Sequence, residues 1–175
     1  NAQVARAKWK QRLYKVGESI ARLSVARGSG DNHGTHTTDE AFRPSHGHRF
    51  SGLERSGFGE IFAATPYDAM GGTYNSTTTA NGMREGASGV IVVGGGYTPA
   101  AYKGFILDID YFLYQAERIR RGPRTLGMEW DLKLRYHIQD YFSMAFTAAY
   151  FKAGKALNPA NARATKYAFE IAGRF

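Results

Sequence analysis

From Leu126 to Ile138 the chain alternates without a break. Leu126, Met128, Trp130, Leu132, Leu134, Tyr136 and Ile138 are apolar or aromatic, while Gly127, Glu129, Asp131, Lys133, Arg135 and His137 between them are nearly all charged. A strand points successive side chains to opposite faces, so this segment predicts one apolar face and one ionic face. In a helix the same charges would scatter around the cylinder. Period two recurs in 102–115, where Phe105, Leu107, Ile109, Tyr111 and Leu113 oppose Asp108 and Asp110. It recurs in 141–152, where Phe142, Met144, Phe146, Ala148 and Tyr150 oppose Ser143, Ala145, Thr147 and Ala149. Over 165–175, Tyr167, Phe169, Ile171, Gly173 and Phe175 face away from Lys166, Ala168, Glu170, Ala172 and Arg174. A Val-rich strand is predicted at 87–97, and a weaker one at 19–27 after a turn at Gly17-Glu18. Residues 3–13 set Arg6, Lys8, Lys10 and Arg12 at alternate positions. As a strand this puts four cations on one face, and as a helix it makes a basic amphipathic arm; the strand is the preferred reading.

Strands of this length exceed the usual five or six residues and match the roughly 9–11 that a tilted strand needs to cross a bilayer. The expected fold is therefore all-β, an antiparallel transmembrane β-barrel forming a single domain over 1–175. The apolar face would meet lipid and the charged face a wet lumen. Connection lengths support this: Thr98–Ala101 is short and Gln139-Asp140 minimal, whereas Ala116–Arg124 and Ala153–Ala164 are long. Short turns at one end and long loops at the other are the asymmetry of outer-membrane barrels. Residues 28–85 read as one long loop in which only Phe58 to Ala64 looks ordered. Seven strands is an odd count for a barrel of this kind, so either residues 3–13 are not a strand or, as the preferred reading, the chain is the C-terminal portion of a larger barrel. Its start at Asn1 without Met, and without a signal peptide, fits a processed chain or a fragment.

Composition sharpens this in part. Hydrophobic residues make up 43%, yet no apolar run approaches a membrane helix. There are 21 Gly, 11 Tyr and 11 Phe, suited to twisted strands, turns and interfacial aromatic girdles. Cysteine is absent, which excludes disulfides and thiolate sites. The formal charge of +8 points to an anionic partner, or simply to solubility. His33, His36, His46 and His48 match no standard metal spacing and read as solvated loop histidines, so no metal and no cofactor is expected. Gly94-Gly95-Gly96 lacks the Lys-Ser/Thr of a phosphate loop. Basic residues alternate with carboxylates rather than forming a phosphate-tracking stripe, so no nucleic acid is expected as partner.

The terminal alternation Tyr167, Phe169, Ile171 and Phe175 resembles the signal that barrel-assembly machinery reads in bacterial outer-membrane proteins. More narrowly, Leu126-Gly127-Met128-Glu129-Trp130-Asp131-Leu132, then Tyr136, Asp140 and Tyr150-Phe151-Lys152-Ala153-Gly154-Lys155-Ala156-Leu157, resembles the closing part of alginate-export-type porins. Ala26-Arg27-Gly28-Ser29-Gly30-Asp31 is similar to a strand end of that family, and the long 32–85 region departs from it. The resemblance implies an outer-membrane channel, not an enzyme, that passes small, preferably anionic, solutes or sugars. Its surroundings would be outer-membrane lipid and lipopolysaccharide. On the strand phase above, the lumen candidates are Arg6, Lys8, Lys10, Arg12, Asp108, Asp110, Glu129, Asp131, Lys133, Arg135, His137, Glu170 and Arg174. Arg118, Arg120, Arg121 and Arg124 are expected together in a loop at the outer mouth, where they would concentrate anions. For each lumen charge, cross-strand pairing that stiffens the wall is an equal alternative to a transport role. Two other functions stay open: a small outer-membrane barrel enzyme acting on lipids, and a soluble β-barrel binding protein.

Overall fold

The structure is a computed structural model, and it describes residues 2–13, 17–31, 58–62, 83, 86–138 and 142–173. These residues form strands β1 (Ala2–Leu13), β2 (Gly17–Gly28), β3 (Ala87–Thr98), β4 (Phe105–Ile119), β5 (Thr125–Ile138), β6 (Phe142–Ala153) and β7 (Arg163–Gly173). No helix of the described residues is long and apolar enough to cross a membrane. The strands make one sheet in sequence order, each antiparallel to the next. The sheet is open, because β1 and β7 each have a single neighbour. The basic segment is a strand rather than a helical arm.

Directly opposed residues of an antiparallel ladder share a face, so the register writes out both faces in rows. One row on the charged face is Lys8, Arg22, Gly96, Asp110, Asp131, Ala149 and Lys166, crossing all seven strands. The next, towards the 58–62 segment, is Arg6, Ser24, Gly94, Phe112, Glu129, Phe151 and Ala164. The opposite face is apolar: Leu107, Leu134, Phe146 and Phe169 stand in one row, and Tyr111, Trp130 and Tyr150 in another. Tyr111 and Trp130 contact at a ring separation of 4.5 Å. Among the described residues, apart from Val4 and Tyr102, every exposed large hydrophobic side chain lies on this face, from Trp9 through Leu132 to Ile171.

Four expectations need correction. Leu126 opens the alternating run, yet it is fully buried in the apolar cluster with Phe58, Tyr114, Phe151 and Leu157 instead of sharing the face of Met128. A bulge is the reason. Tyr114 pairs with Gly127 but Gln115 pairs with Thr125, so one extra residue on β5 breaks the phase. Second, β4 runs on to Ile119, which leaves only 120–124 as the connection and places Arg118 in the strand. Third, Gly17 and Glu18 belong to β2 instead of a turn. Finally, the β3–β4 connection covers 99–104, so 120–124 is no longer than it. Only 29–86 and 154–162 remain as long connections, both at one end of the sheet.

The apolar cluster that excludes water lies at that same end, on the charged side of the sheet. Val90, Val92, Tyr114, Leu126 and Phe151 of the strands pack there with Phe58, Met83, Ala156 and Leu157 of the connections.

Candidate functional site

The charged face holds the residues that can act on a solute, and the register explains how they meet. Arg22 lies between β1 and β3, and the neighbouring position on β3 is Gly96. A Cβ built on Gly96 would run into the Asp110 carboxylate, and one on Gly94 into the Phe112 ring. The two glycines therefore open a slot through which Arg22 reaches β4. Its Nε and Nη2 donate to Asp110 at 3.2 and 3.0 Å, and its Nη1 donates to Asp108 at 3.3 Å. Asp108 also accepts from Arg135 Nη2 at 2.7 Å and from the Thr98 hydroxyl. Arg22, Asp108, Asp110 and Arg135 thus form a four-residue network across β2, β4 and β5. Asp108 is nearly buried, and Asp110, Arg22 and Arg135 are partly so.

Above this network lies a segment of the long β2–β3 connection, Phe58 to Phe62. Glu129 holds it. One carboxylate oxygen accepts from the backbone N–H groups of Glu60 and Ile61, and the other from Phe62 at 3.0 Å and the Tyr114 hydroxyl at 3.1 Å. Three consecutive amides aimed at one carboxylate form an anion cradle, here filled by the protein's own side chain. The Tyr114 hydroxyl also lies 2.7 Å from the Phe58 carbonyl, so its single proton is shared between that carbonyl and Glu129. Phe62 stacks on Phe151 at 5.1 Å, Arg6 sits 4.8 Å over the Phe58 ring, and Lys166 binds the Glu60 carboxylate at 2.8 Å.

Two cavities flank the segment. The first, about 410 Å³, is bounded by Glu60, Asp110, Asp131, Lys133, Arg135 and Thr147 among others. The second, about 440 Å³, is bounded by Arg6, Lys8, Phe58, Gly95 and Phe112 among others, and shares Arg22 and Asp110 with the first. Both fall in the size range of small-solute pockets.

The sequence-predicted lumen residues are distributed unevenly. Arg6, Lys8, Asp108, Asp110, Asp131, Lys133 and Arg135 border the two cavities. Glu129 is on the same face but wholly buried beneath 58–62. Lys10 pairs with the exposed Glu18 at 3.1 Å, and Arg12 stands opposite Glu18 in the register. His137 and Glu170 are on the charged face of β5 and β7, outside both cavities. Arg174, Phe175, the Gln139-Asp140 turn and the loop histidines His33, His36, His46 and His48 lie outside the described residues. Tyr167, Phe169 and Ile171 are exposed on the apolar face of β7.

The four arginines expected in one loop divide. Arg120, Arg121 and Arg124 are in the exposed connection, whereas Arg118 contacts Glu117 at 3.3 Å. Glu117 is buried and also takes Arg27 at 2.6 Å and the Gly30 N–H at 3.0 Å. Arg22, Arg27, Tyr114, Glu117, Glu60 and Lys166 were not among the predicted site residues. Arg22 alone had a legible signal, a cation among apolar alternates on a strand adjoining a triple glycine. No cluster of His, Cys, Asp or Glu among the described residues is arranged to hold a metal.

The class this geometry defines is an open, two-faced antiparallel sheet, apolar on one side and ionic on the other. Compared with family models, curated proteins and solved structures, the chain matches none.

Proposed function

We propose that this chain forms the wall of a bacterial outer-membrane β-barrel that passes small, preferably anionic, solutes through a charged lumen. The observation that carries the reading is the segregation of the two faces. Large side chains such as Trp130, Leu132, Leu134, Phe146 and Phe169 stay exposed along the entire apolar face, and among the described residues nothing packs over them. Contiguous apolar surface on this scale needs a cover, and lipid is the cover that a sheet with 11- to 15-residue strands can use. A soluble sandwich would need a second layer there. The free edges of β1 and β7 call for further strands to close the ring. The resemblance to alginate-export-type porins is consistent with a larger barrel of this sort.

Transport in such a channel follows from radius and field rather than from bond chemistry. Segment 58–62, anchored on Glu129, narrows the passage on the lumen side and splits it into the two cavities. Arg22 and Arg135 together balance Asp108 and Asp110, so that four-residue cluster carries no net charge. Lys8 and Arg12 have no ion pair among the described residues, and Arg120, Arg121 and Arg124 add positive potential at one mouth. Moderate anion preference follows, with no enzymatic step. The test is membrane fractionation with gel migration before and after heating. Recovery in the outer membrane with heat-modifiable migration is expected; recovery in the soluble fraction would reject the proposal.

A further inference from the structure

The cavity beside 58–62 contains a mismatch that the wall does not resolve. Asp110 and Asp131 stand directly opposite each other on β4 and β5, an arrangement of like charges that a sheet ordinarily avoids. Arg22 neutralises Asp110 from the far side. Asp131 receives no such help. It is 7% exposed, it borders the cavity, and its Oδ1 has no hydrogen-bond partner among the described residues. A buried carboxylate oxygen left without a donor is costly.

Groups of the opposite sign are also open in the same cavity. Lys133, two residues along the same face of β5, has no ion pair among the described residues although it stands opposite Asp108. Asp108 is already occupied by Arg22, Arg135 and Thr98. Arg135, two residues further, spends Nη2 on Asp108, and its buried Nε has no partner among the described residues. Thus, among the described residues, one strand presents an unpartnered acceptor at Asp131, then unpartnered donors on Lys133 and at Arg135 Nε, at steps of about 6.6 Å.

We infer that this cavity is a subsite for a small zwitterion of the α-amino acid class. Its ammonium binds Asp131, and its carboxylate binds Lys133 and Arg135 Nε. A lone anion would satisfy the donors but face the Asp131 carboxylate; a lone cation would satisfy Asp131 but face Lys133. Only a ligand carrying both charges completes both halves, through charge-assisted hydrogen bonds of about 2.8 Å. A volume of about 410 Å³ accommodates a small amino acid with its hydration. The inference rests on the channel reading only for the route by which the solute arrives.

The test uses the full chain refolded in detergent micelles, titrated calorimetrically with L-serine, with sodium acetate and with methylammonium chloride. L-serine should bind at least tenfold more tightly than either half-ligand. Asp131→Asn and Lys133→Gln should each weaken L-serine at least tenfold, with heat-modifiable migration confirming that each variant is folded. Lys133 is half-exposed, so its variant provides a reading even where Asp131→Asn fails to fold. Acetate or methylammonium binding as tightly as L-serine, or L-serine binding unaltered in folded Lys133→Gln, overturns the subsite. Conductance in planar bilayers separates the two ideas. Binding of L-serine without a channel keeps the subsite and removes the pore; a channel with no L-serine binding removes the subsite alone.

Discussion

Replacing Glu129 with Gln should release segment 58–62 from the sheet while leaving the sheet intact. In the wild-type protein one carboxylate oxygen accepts from Glu60 N at 2.5 Å and Ile61 N at 2.7 Å, and the other accepts from Phe62 N and Tyr114 Oη. A glutamine amide retains one acceptor oxygen, so it can serve only one of these pairs. Its NH2 group then points at the other pair, donor against donor. Two hydrogen bonds to a charged acceptor are lost, each worth about 1.5–3 kcal/mol, so the docked segment should lose roughly 3–6 kcal/mol. Amide hydrogen exchange reads this directly. Protection of Glu60, Ile61 and Phe62 should fall by at least about a hundredfold, since about 1.4 kcal/mol corresponds to a factor of ten. The amides of Leu132 and Lys133, held in the β5 ladder, should not change. If the segment constricts a channel, single-channel conductance should rise in parallel. Unchanged protection at 60–62 in a folded Glu129→Gln variant would refute the anchoring role of this carboxylate.

Three further outcomes follow from the same geometry. Leu132→Arg or Leu134→Arg should destabilise folding into lipid vesicles by about 2–4 kcal/mol if these positions sit near the bilayer midplane, and Lys133→Gln should cost much less; equal costs would reject lipid as the cover. Gly96→Ala should push the Asp110 carboxylate off Arg22 and lower stability by about 1–3 kcal/mol in a denaturant titration, with a smaller effect at Gly95, whose Cβ would meet only the Arg22 carbonyl at 4.0 Å. Changing Arg120, Arg121 and Arg124 together to Gln should move the reversal potential under a KCl gradient towards cations. That shift should shrink as salt rises from 0.1 to 1 M, because the Debye length falls from about 10 to about 3 Å; an unmoved potential would remove the loop from the selectivity argument.

The strands were readable because period two is a property of single residues. Leu107, Ile109 and Tyr111 alternate with Asp108 and Asp110 whatever their neighbours are, and both faces follow. What a strand meets is not written at that range. Arg22 finds Asp108 and Asp110 through a register fixed by the whole sheet and a slot left by Gly94 and Gly96. Leu126 fitted the apolar phase perfectly, and only the extra residue on β5 removes it from that face. Glu117 fell in the expected 116–124 loop, so periodicity gave it no place among the lumen candidates, yet β4 runs on through it and it collects Arg27, Arg118 and the Gly30 amide. The Phe58–Phe62 stretch stood out as an apolar island in a polar loop, without any indication that Glu129 would hold it.

The cluster around Tyr114, Leu126, Phe58 and Leu157 makes this sheet a molecule of two solvents. Over the apolar face, nothing among the described residues supplies burial. At the end where the long connections fold back, the chain supplies its own covering, with Tyr114, Leu126 and Ala156 sealed from solvent by other parts of the same polypeptide. That end is therefore able to consolidate in water by the same collapse that orders a globular domain, and in the proposed barrel it would do so before any bilayer is met. It also ties β3, β4, β5 and β6 to the segments between them at a stage when the remaining hydrophobic surface has no partner. If the proposed membrane barrel holds, the chain would cross water with one organised end and one unfinished face, and insertion would complete the second without having to build the first.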